Sequence, residues 1–534
     1  MSRSIRLTLP LLALAATAAH AQNAAVTVAI DAETGRHKIS PLIYGVAFGA
    51  QADLIALNAP LNRSGGNNTS TYSYAANAQN LDADYYFESY PQPGTTPGAA
   101  PDSFVSATKA AGATPMLTVP LIGYVAKLGP KRAILPSYSV AKYGAQCSVD
   151  PYDTDAGDGV QTNCSTNLTG NNPLDAYVPD TAALEQNWIK HLIATWGLSS
   201  AGGVPYYLMD NEPSIWFSTH RDIHPVGPHA DEYRDKVLAE SAKIHALDKK
   251  AKILAPEEWG WDGYFYSGYD QQYAPTHNWT YPDQTNEQGG LDYIPWLLTQ
   301  WKAKHAVDVL SVHFYPQGGE YGNDNSTATQ LLRNRSTRQL WDPNYVSESW
   351  IDAPVYLIPR LQSWISTYYI AGTPVAITEY NWGDEANING ATTQADIYGI
   401  FGQQGLDLAT RWTVPASTTP TYKAMQMYRN YDGENSTFGD TSISAAVPDP
   451  DTLSAFAAER STDGALTVMV ISKVLSGTTP VSLTLAHLPA KGTAQRYQLT
   501  AANVIAPLAA LPYRAGTLTD TVPAQSITLY ILPK

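Results

Sequence analysis

Tyr206-Tyr207-Leu208-Met209-Asp210-Asn211-Glu212-Pro213 and Pro374-Val375-Ala376-Ile377-Thr378-Glu379-Tyr380 are two short apolar runs that each end in a glutamate. Such a run reads as a strand buried on both faces, and its last residue lies at a sheet edge where a ligand can reach it. Counted from Tyr206 to Asn211 and from Val375 to Glu379, they belong to a set of eight. The others are 42–48, 56–63, 115–120, 252–256, 309–315 and 406–412. Helical patterns lie between them. Leu184, Trp188, Leu192 and Trp196 follow Asp180, a candidate N-cap, and Gly197 closes the helix. Tyr233, Val237, Ile244 and Leu247 mark a second helix over 231–247, and residues 293–301 mark a third. Strands alternating with helices predict an α/β protein with a (β/α)8 barrel spanning 41–435.

Beyond residue 435 the pattern changes. Runs 466–471, 481–485, 496–499 and 526–532 alternate apolar and polar residues, with turn residues between them. This predicts a smaller antiparallel β-sandwich over 436–534. Val26-Thr27-Val28-Ala29-Ile30 alternates in the same way, so 22–40 is assigned to that sandwich. Residues 1–21 read as a signal peptide: Arg3 and Arg6, a short apolar stretch, then Ala19-His20-Ala21. The protein is expected to be secreted or periplasmic.

Composition narrows the function. A net charge of -15 with only 15% charged residues excludes nucleic acid and anionic membrane as natural partners. The 34 Tyr and 13 Trp against 9 Phe supply flat faces with a polar handle, suited to stacking on sugars as well as to ordinary packing. Cys147 and Cys164 are the two cysteines and are expected to pair in an exported protein.

Glycoside hydrolysis needs two carboxyl groups facing one bond. Glu212 ends the fourth run and Glu379 the seventh, at the barrel end where catalytic groups sit. Either alone could be a helix-cap neighbour or half of an ion pair. Together they read as acid/base (Glu212) and nucleophile (Glu379). Asn211 is expected to bond a sugar hydroxyl, and Tyr315 or Arg63 to orient Glu379, Arg63 through a forked contact. His313 and Trp412 end the sixth and eighth runs and are candidate binding residues. His220 and His224 stand four apart, but Arg221 occupies the place of a zinc protease's glutamate. Asp153, Asp155 and Asp158 are candidate ligands for a structural calcium, although the loop lacks the bidentate glutamate; a solvated acidic loop is the alternative. No cofactor is otherwise expected.

With these residues assembled, the chain resembles glycoside hydrolase family 44. The resemblance rests on Asp210-Asn211-Glu212-Pro213-Ser214-Ile215-Trp216, Pro256-Glu257-Glu258-Trp259-Gly260-Trp261, Val312-His313-Phe314-Tyr315-Pro316, Ser349-Trp350-Ile351 and Thr378-Glu379-Tyr380-Asn381-Trp382-Gly383. It implies a barrel with a sandwich built from both termini. It also implies retaining endo-hydrolysis of β-1,4-glucans, including xyloglucan, with Glu212 and Glu379 in the roles above; a monomer acting on a β-glucan polysaccharide is expected. Trp350 and Trp412 are then stacking platforms, and Trp216, Trp382 and Tyr85 are counted with the substrate-binding residues. A xylanase or mannanase on the same scaffold, or a non-catalytic polysaccharide-binding protein, are the alternatives.

Overall fold

The computed structural model describes residues 22–534; the signal-peptide reading of 1–21 lies outside the described residues. Eight parallel strands close into a barrel. In chain order they are Gly45–Ala47, Leu61–Ser64, Thr114–Val119, Tyr206–Met209, Lys252–Glu258, Val309–Phe314, Val375–Tyr380 and Leu408–Arg411. Each coincides with one of the apolar runs. Leu61, Met116, Leu208, Leu254, Val309, Ala376 and Leu408 form a small buried cluster, one side chain from each of seven strands, that fills the barrel interior. The residues beside them in sequence, such as Met209, Ala255, Leu310 and Ile377, belong instead to the main core under the helices. This is the period-two division of a strand between its faces.

Two irregularities break that alternation near the barrel mouth. Register shifts between Pro256 and Glu258 on the fifth strand. It shifts again between Val312 and His313, so that Thr378 is skipped and His313 pairs with Glu379. A bulge re-aims the side chains that follow it. Here it turns Glu257 and Glu379 toward the centre.

The three helices read from spacing are Ala182–Trp196, Ala230–Leu247 and Tyr293–Lys302. The first starts one residue later than Asp180 as cap requires: Thr181 holds the N-cap position and its side chain makes no capping bond. Gly197 does end the helix, with φ of 88°.

Eight carboxyl-terminal strands, with Val26–Asp31 and His37–Lys38, form one ten-stranded sheet that folds over its own core. Val26–Asp31 lies inside this sheet, antiparallel to Thr441–Ala446 and parallel to Thr478–Ala486. Leu466–Ser472 and Ser526–Leu532 are buried at every position rather than at alternate ones. The reason is a second partner. Val468 and Val470 face the sheet's own core, whereas Met469 and Ile471 join the barrel's. Helix Ile388–Gln403 is caught between the two layers and is buried almost throughout. Gly399 permits this approach: a Cβ there would come 2.1 Å from the Phe456 ring.

A buried ion pair crosses the same interface. Lys473 Nζ donates to Asp396 Oδ2 at 2.6 Å, and the two side chains are 3% and 2% exposed. Asp396→Ala is expected to destabilise the protein by about 3–5 kcal/mol, because it leaves a buried ammonium unpaired. Chemical denaturation measures this; a change under about 1 kcal/mol would show that the pair adds nothing beyond its surroundings. Among the described residues, no helix is long and apolar enough to cross a membrane.

Candidate active site

The fourth strand stops at Met209, and the backbone turns sharply. Asp210 (φ 68°) and Glu212 (φ 46°) both adopt the left-handed region, as does Glu257 (φ 58°). Non-glycine residues hold that conformation only where their surroundings enforce it, and such positions gather at functional sites. Glu212 N–H donates to the carbonyl of Glu257 at 3.0 Å, which fixes the turn.

Arg63, from the second strand, is fully buried beneath the site. Its Nη1 donates to Glu379 Oε1 at 2.6 Å, and its Nη2 donates to Asn211 Oδ1 at 3.0 Å. The expected forked contact is therefore split between two residues. A guanidinium with no exposed surface holds Glu379 rather than a ligand. Tyr315 donates its hydroxyl to the other oxygen, Glu379 Oε2, at 2.8 Å. Asn211 Oδ1 also accepts from Gly66 N at 3.1 Å, and its Nδ2 donates to Asn67 at 3.1 Å. One amide hydrogen of Asn211 is left for a sugar hydroxyl.

His313 is likewise buried, so it too is no binding residue. Its Nδ1 lies 2.8 Å from Glu212 Oε1 and its Nε2 3.2 Å from Glu257 Oε2. Burial alone would push this imidazole down. The Glu379 charge and the hydrogen bonds to Glu212 and Glu257 outweigh it and hold it up at about 9.

The two carboxyl groups are thereby set apart. Burial pushes the Glu212 carboxyl above its ordinary value; the His313 bond opposes this and the Glu379 charge adds to it. Burial also acts on Glu379. There the charges of His313 and Arg63, with the bonds from Arg63 and Tyr315, prevail and hold it below the ordinary carboxylate range. A carboxyl that keeps its proton and one that gives it up are what an acid and a nucleophile require. Ligand atoms of Glu212, His313 and Glu379 lie within 4.8 Å of one another, close enough to share a cation. Arg63, 2.6 Å from Glu379, already supplies the positive charge.

The aromatic candidates divide. Trp412, on the eighth strand's end, stands edge-on to Phe48 at 5.7 Å. It lies so close to Gly66 that a Cβ there would come 2.6 Å from its ring, and Gly66 itself has φ of 86°. Trp350 is 53% exposed and donates to Gln317, on the loop leaving the sixth strand. The sixth and eighth strands flank the seventh, which carries Glu379; Trp412 follows the eighth, and Trp350 reaches the loop that leaves the sixth. Tyr85 is partly exposed but directs its hydroxyl to Asp150 at 2.6 Å. Trp216 and Trp382 are not platforms. Trp216 is buried against Tyr233 and His224, and Trp382 donates to Ser336 and packs on Phe314.

Beside Trp412 opens a cavity of about 420 Å³, lined by Phe48, Asn67, Asn68, Asp84, Phe104 and others. It adjoins the carboxylates rather than containing them. Phe48 ends the first apolar run, so its place was legible although no role was read for it. Glu257 was also missed, although it is a strand-end carboxylate by the rule that singled out Glu212 and Glu379.

The acidic loop is tied to its own backbone. Asp155 accepts from Ser139 and from Ala141 N, Asp153 from Asp155 N, and Asp158 from Val160 N. These carboxylates order their own loop and do not converge as one ligand set. Cys147 and Cys164 are joined, with Cα atoms 5.0 Å apart. His220 is buried, which pushes its imidazole down to about 3.

Comparison with known proteins places these features in context. The sequence model of glycoside hydrolase family 44 matches residues 78–318. Over 96% of this chain and the whole of the other, the fold superposes with a TM-score of 0.94 and 56% identity on CelM2, a bifunctional glucanase-xylanase from a metagenome library. Endoglucanase A of Paenibacillus lautus is 31% identical over 81% of this chain, which spans 61% of that relative's length. A Paenibacillus polymyxa xyloglucanase of family 44, solved with xyloglucan, aligns at 25% identity with a TM-score of 0.77, over 96% of this chain and 100% of its own.

Proposed function

Because the chain belongs to glycoside hydrolase family 44, we propose that it hydrolyses internal β-1,4 bonds of soluble or amorphous glucans, xyloglucan included, with retention of configuration. One observation carries this reading: oxygens of Glu212 and Glu379 lie within 4.8 Å of each other, with their acidities pushed in opposite directions. Carboxyl groups about 5–5.5 Å apart leave no room for the water an inverting enzyme places between nucleophile and sugar.

In the first step the Glu379 carboxylate attacks the anomeric carbon. The bond to the leaving sugar breaks, and that sugar's oxygen takes the proton from Glu212. In the second step the Glu212 carboxylate takes a proton from water, whose oxygen attacks the same carbon and releases Glu379. The chemistry asks for no cofactor and for one chain only. The reading includes export to the periplasm or beyond, which the Cys147–Cys164 bond supports, since such bonds persist in oxidising compartments.

A second reading, cleavage of xylan as well as glucan, is favoured by the likeness to CelM2. Assay on carboxymethylcellulose, xyloglucan, xylan and glucomannan separates the two. Proton NMR of the first products is expected to show the β-anomer before mutarotation; an initial α-anomer would establish inversion and remove the proposed mechanism.

A further inference from the structure

We infer that Glu257 is the positioning residue that couples the two catalytic carboxyl groups. The inference rests on the proposed hydrolysis and deepens it. Glu257 is the penultimate residue of the fifth strand, has no exposed surface, and so cannot touch a ligand. Its Oε2 lies 3.2 Å from His313 Nε2, 2.9 Å from the hydroxyl of Thr378 and 3.5 Å from Arg63 Nη2. Those three residues come from the sixth, seventh and second strands. Each leads to the chemistry in one further contact. His313 holds Glu212, Arg63 holds Glu379, and Thr378 is bonded in sequence to Glu379. Its backbone carbonyl meanwhile fixes Glu212 N–H at 3.0 Å. One buried side chain therefore lies behind both reacting groups.

Charge gives the arrangement its reason. Arg63 and the His313 imidazole face two carboxyl groups in common, Glu379 and Glu257. Without Glu257, Glu379 is the one carboxyl group that both still face. His313 then has less cause to keep its second proton, and Arg63 loses one of the contacts that aim it. A buried charge is tolerated only when it is paired and hydrogen-bonded. Glu257 meets that condition for two cations at once.

The test uses the full chain with Glu257→Gln, which keeps the shape and removes the charge, and Glu257→Asp, which keeps the charge. In Glu257→Gln, kcat on a soluble β-1,4-glucan is expected to fall about 100-fold, as for a small misplacement of reacting groups. KM should change by no more than about threefold. Glu257→Asp is expected to recover about tenfold of that loss. His313, followed by NMR in histidine-labelled protein, should titrate at lower pH in Glu257→Gln than in the parent. That measurement needs no turnover. If the parent cleaves no glucan, the proposed activity fails, while a shifted His313 still establishes the link to Glu257. A folded Glu257→Gln protein with kcat within about threefold of the parent, or with His313 titrating as before, overturns the inference. Should Glu257→Gln fail to fold, Glu257→Asp decides by the same two measurements.

Discussion

Replacing Glu379 by alanine is expected to lower kcat on a soluble β-1,4-glucan by about 10⁵-fold, the scale on which removal of a covalent nucleophile acts. The structure gives the reason for so large a loss. Both oxygens of Glu379 are held, one by Arg63 and the other by Tyr315, so the carboxylate meets the sugar in one orientation. Preorganisation of this kind cannot be supplied by water entering the vacated space. The fold should survive, because Arg63 keeps Glu257 as a second carboxyl partner at 3.5 Å. Azide added to the variant is expected to restore turnover and to yield a glycosyl azide of inverted configuration. Near-normal activity in Glu379→Ala, with an unchanged melting temperature, would falsify the assignment.

Replacing Glu212 by glutamine is expected to lower kcat/KM on the polysaccharide by about 10³-fold, the range of a lost general acid. The loss should be much smaller on an aryl glycoside whose leaving group needs no proton. The pH profile supplies the sign. Glu379 lies below the ordinary carboxylate value and must be ionised, so activity falls on the acid side as pH drops through its pKa. Glu212 lies above that value and must be protonated, so activity falls on the alkaline side as pH rises through its pKa. The two titrate as a coupled pair, and the bell reports macroscopic values. Glu212→Gln is expected to abolish the alkaline limb and leave the acid limb in place. A variant that keeps both limbs would assign the acid elsewhere.

Much of this was open to reading in the chain itself. Parallel barrel strands are covered on both faces, so Tyr206–Met209 and Val375–Tyr380 carry unbroken apolar runs that announce both the strand and its end. Residues that face two different partners are harder. Leu466–Ser472 alternates in sequence, yet the barrel covers the face that water would otherwise meet. Trp216 and Trp382 follow catalytic strands in sequence as closely as any platform would, and composition cannot tell a ring that packs inward from one that lies open. Glu257 was legible as a strand-end carboxylate, but its place beneath the site depends on bulged register between the fifth, sixth and seventh strands, which no periodicity records. In the acidic loop, ligand-like spacing also suits aspartates that cap their own turns, and the sequence does not separate the two.

The placement of Val26–Asp31 has a bearing on time as well as on space. This strand leaves the ribosome early, yet its neighbours are Thr441–Ala446 on one side and Thr478–Ala486 on the other. It waits, unpaired, while the whole barrel is made. Contacts between such distant parts of a chain form late, because the intervening loop must first be closed. This strand is thus made before the barrel and finds its place after it, and the sheet is joined into one piece only once Thr478–Ala486 is present.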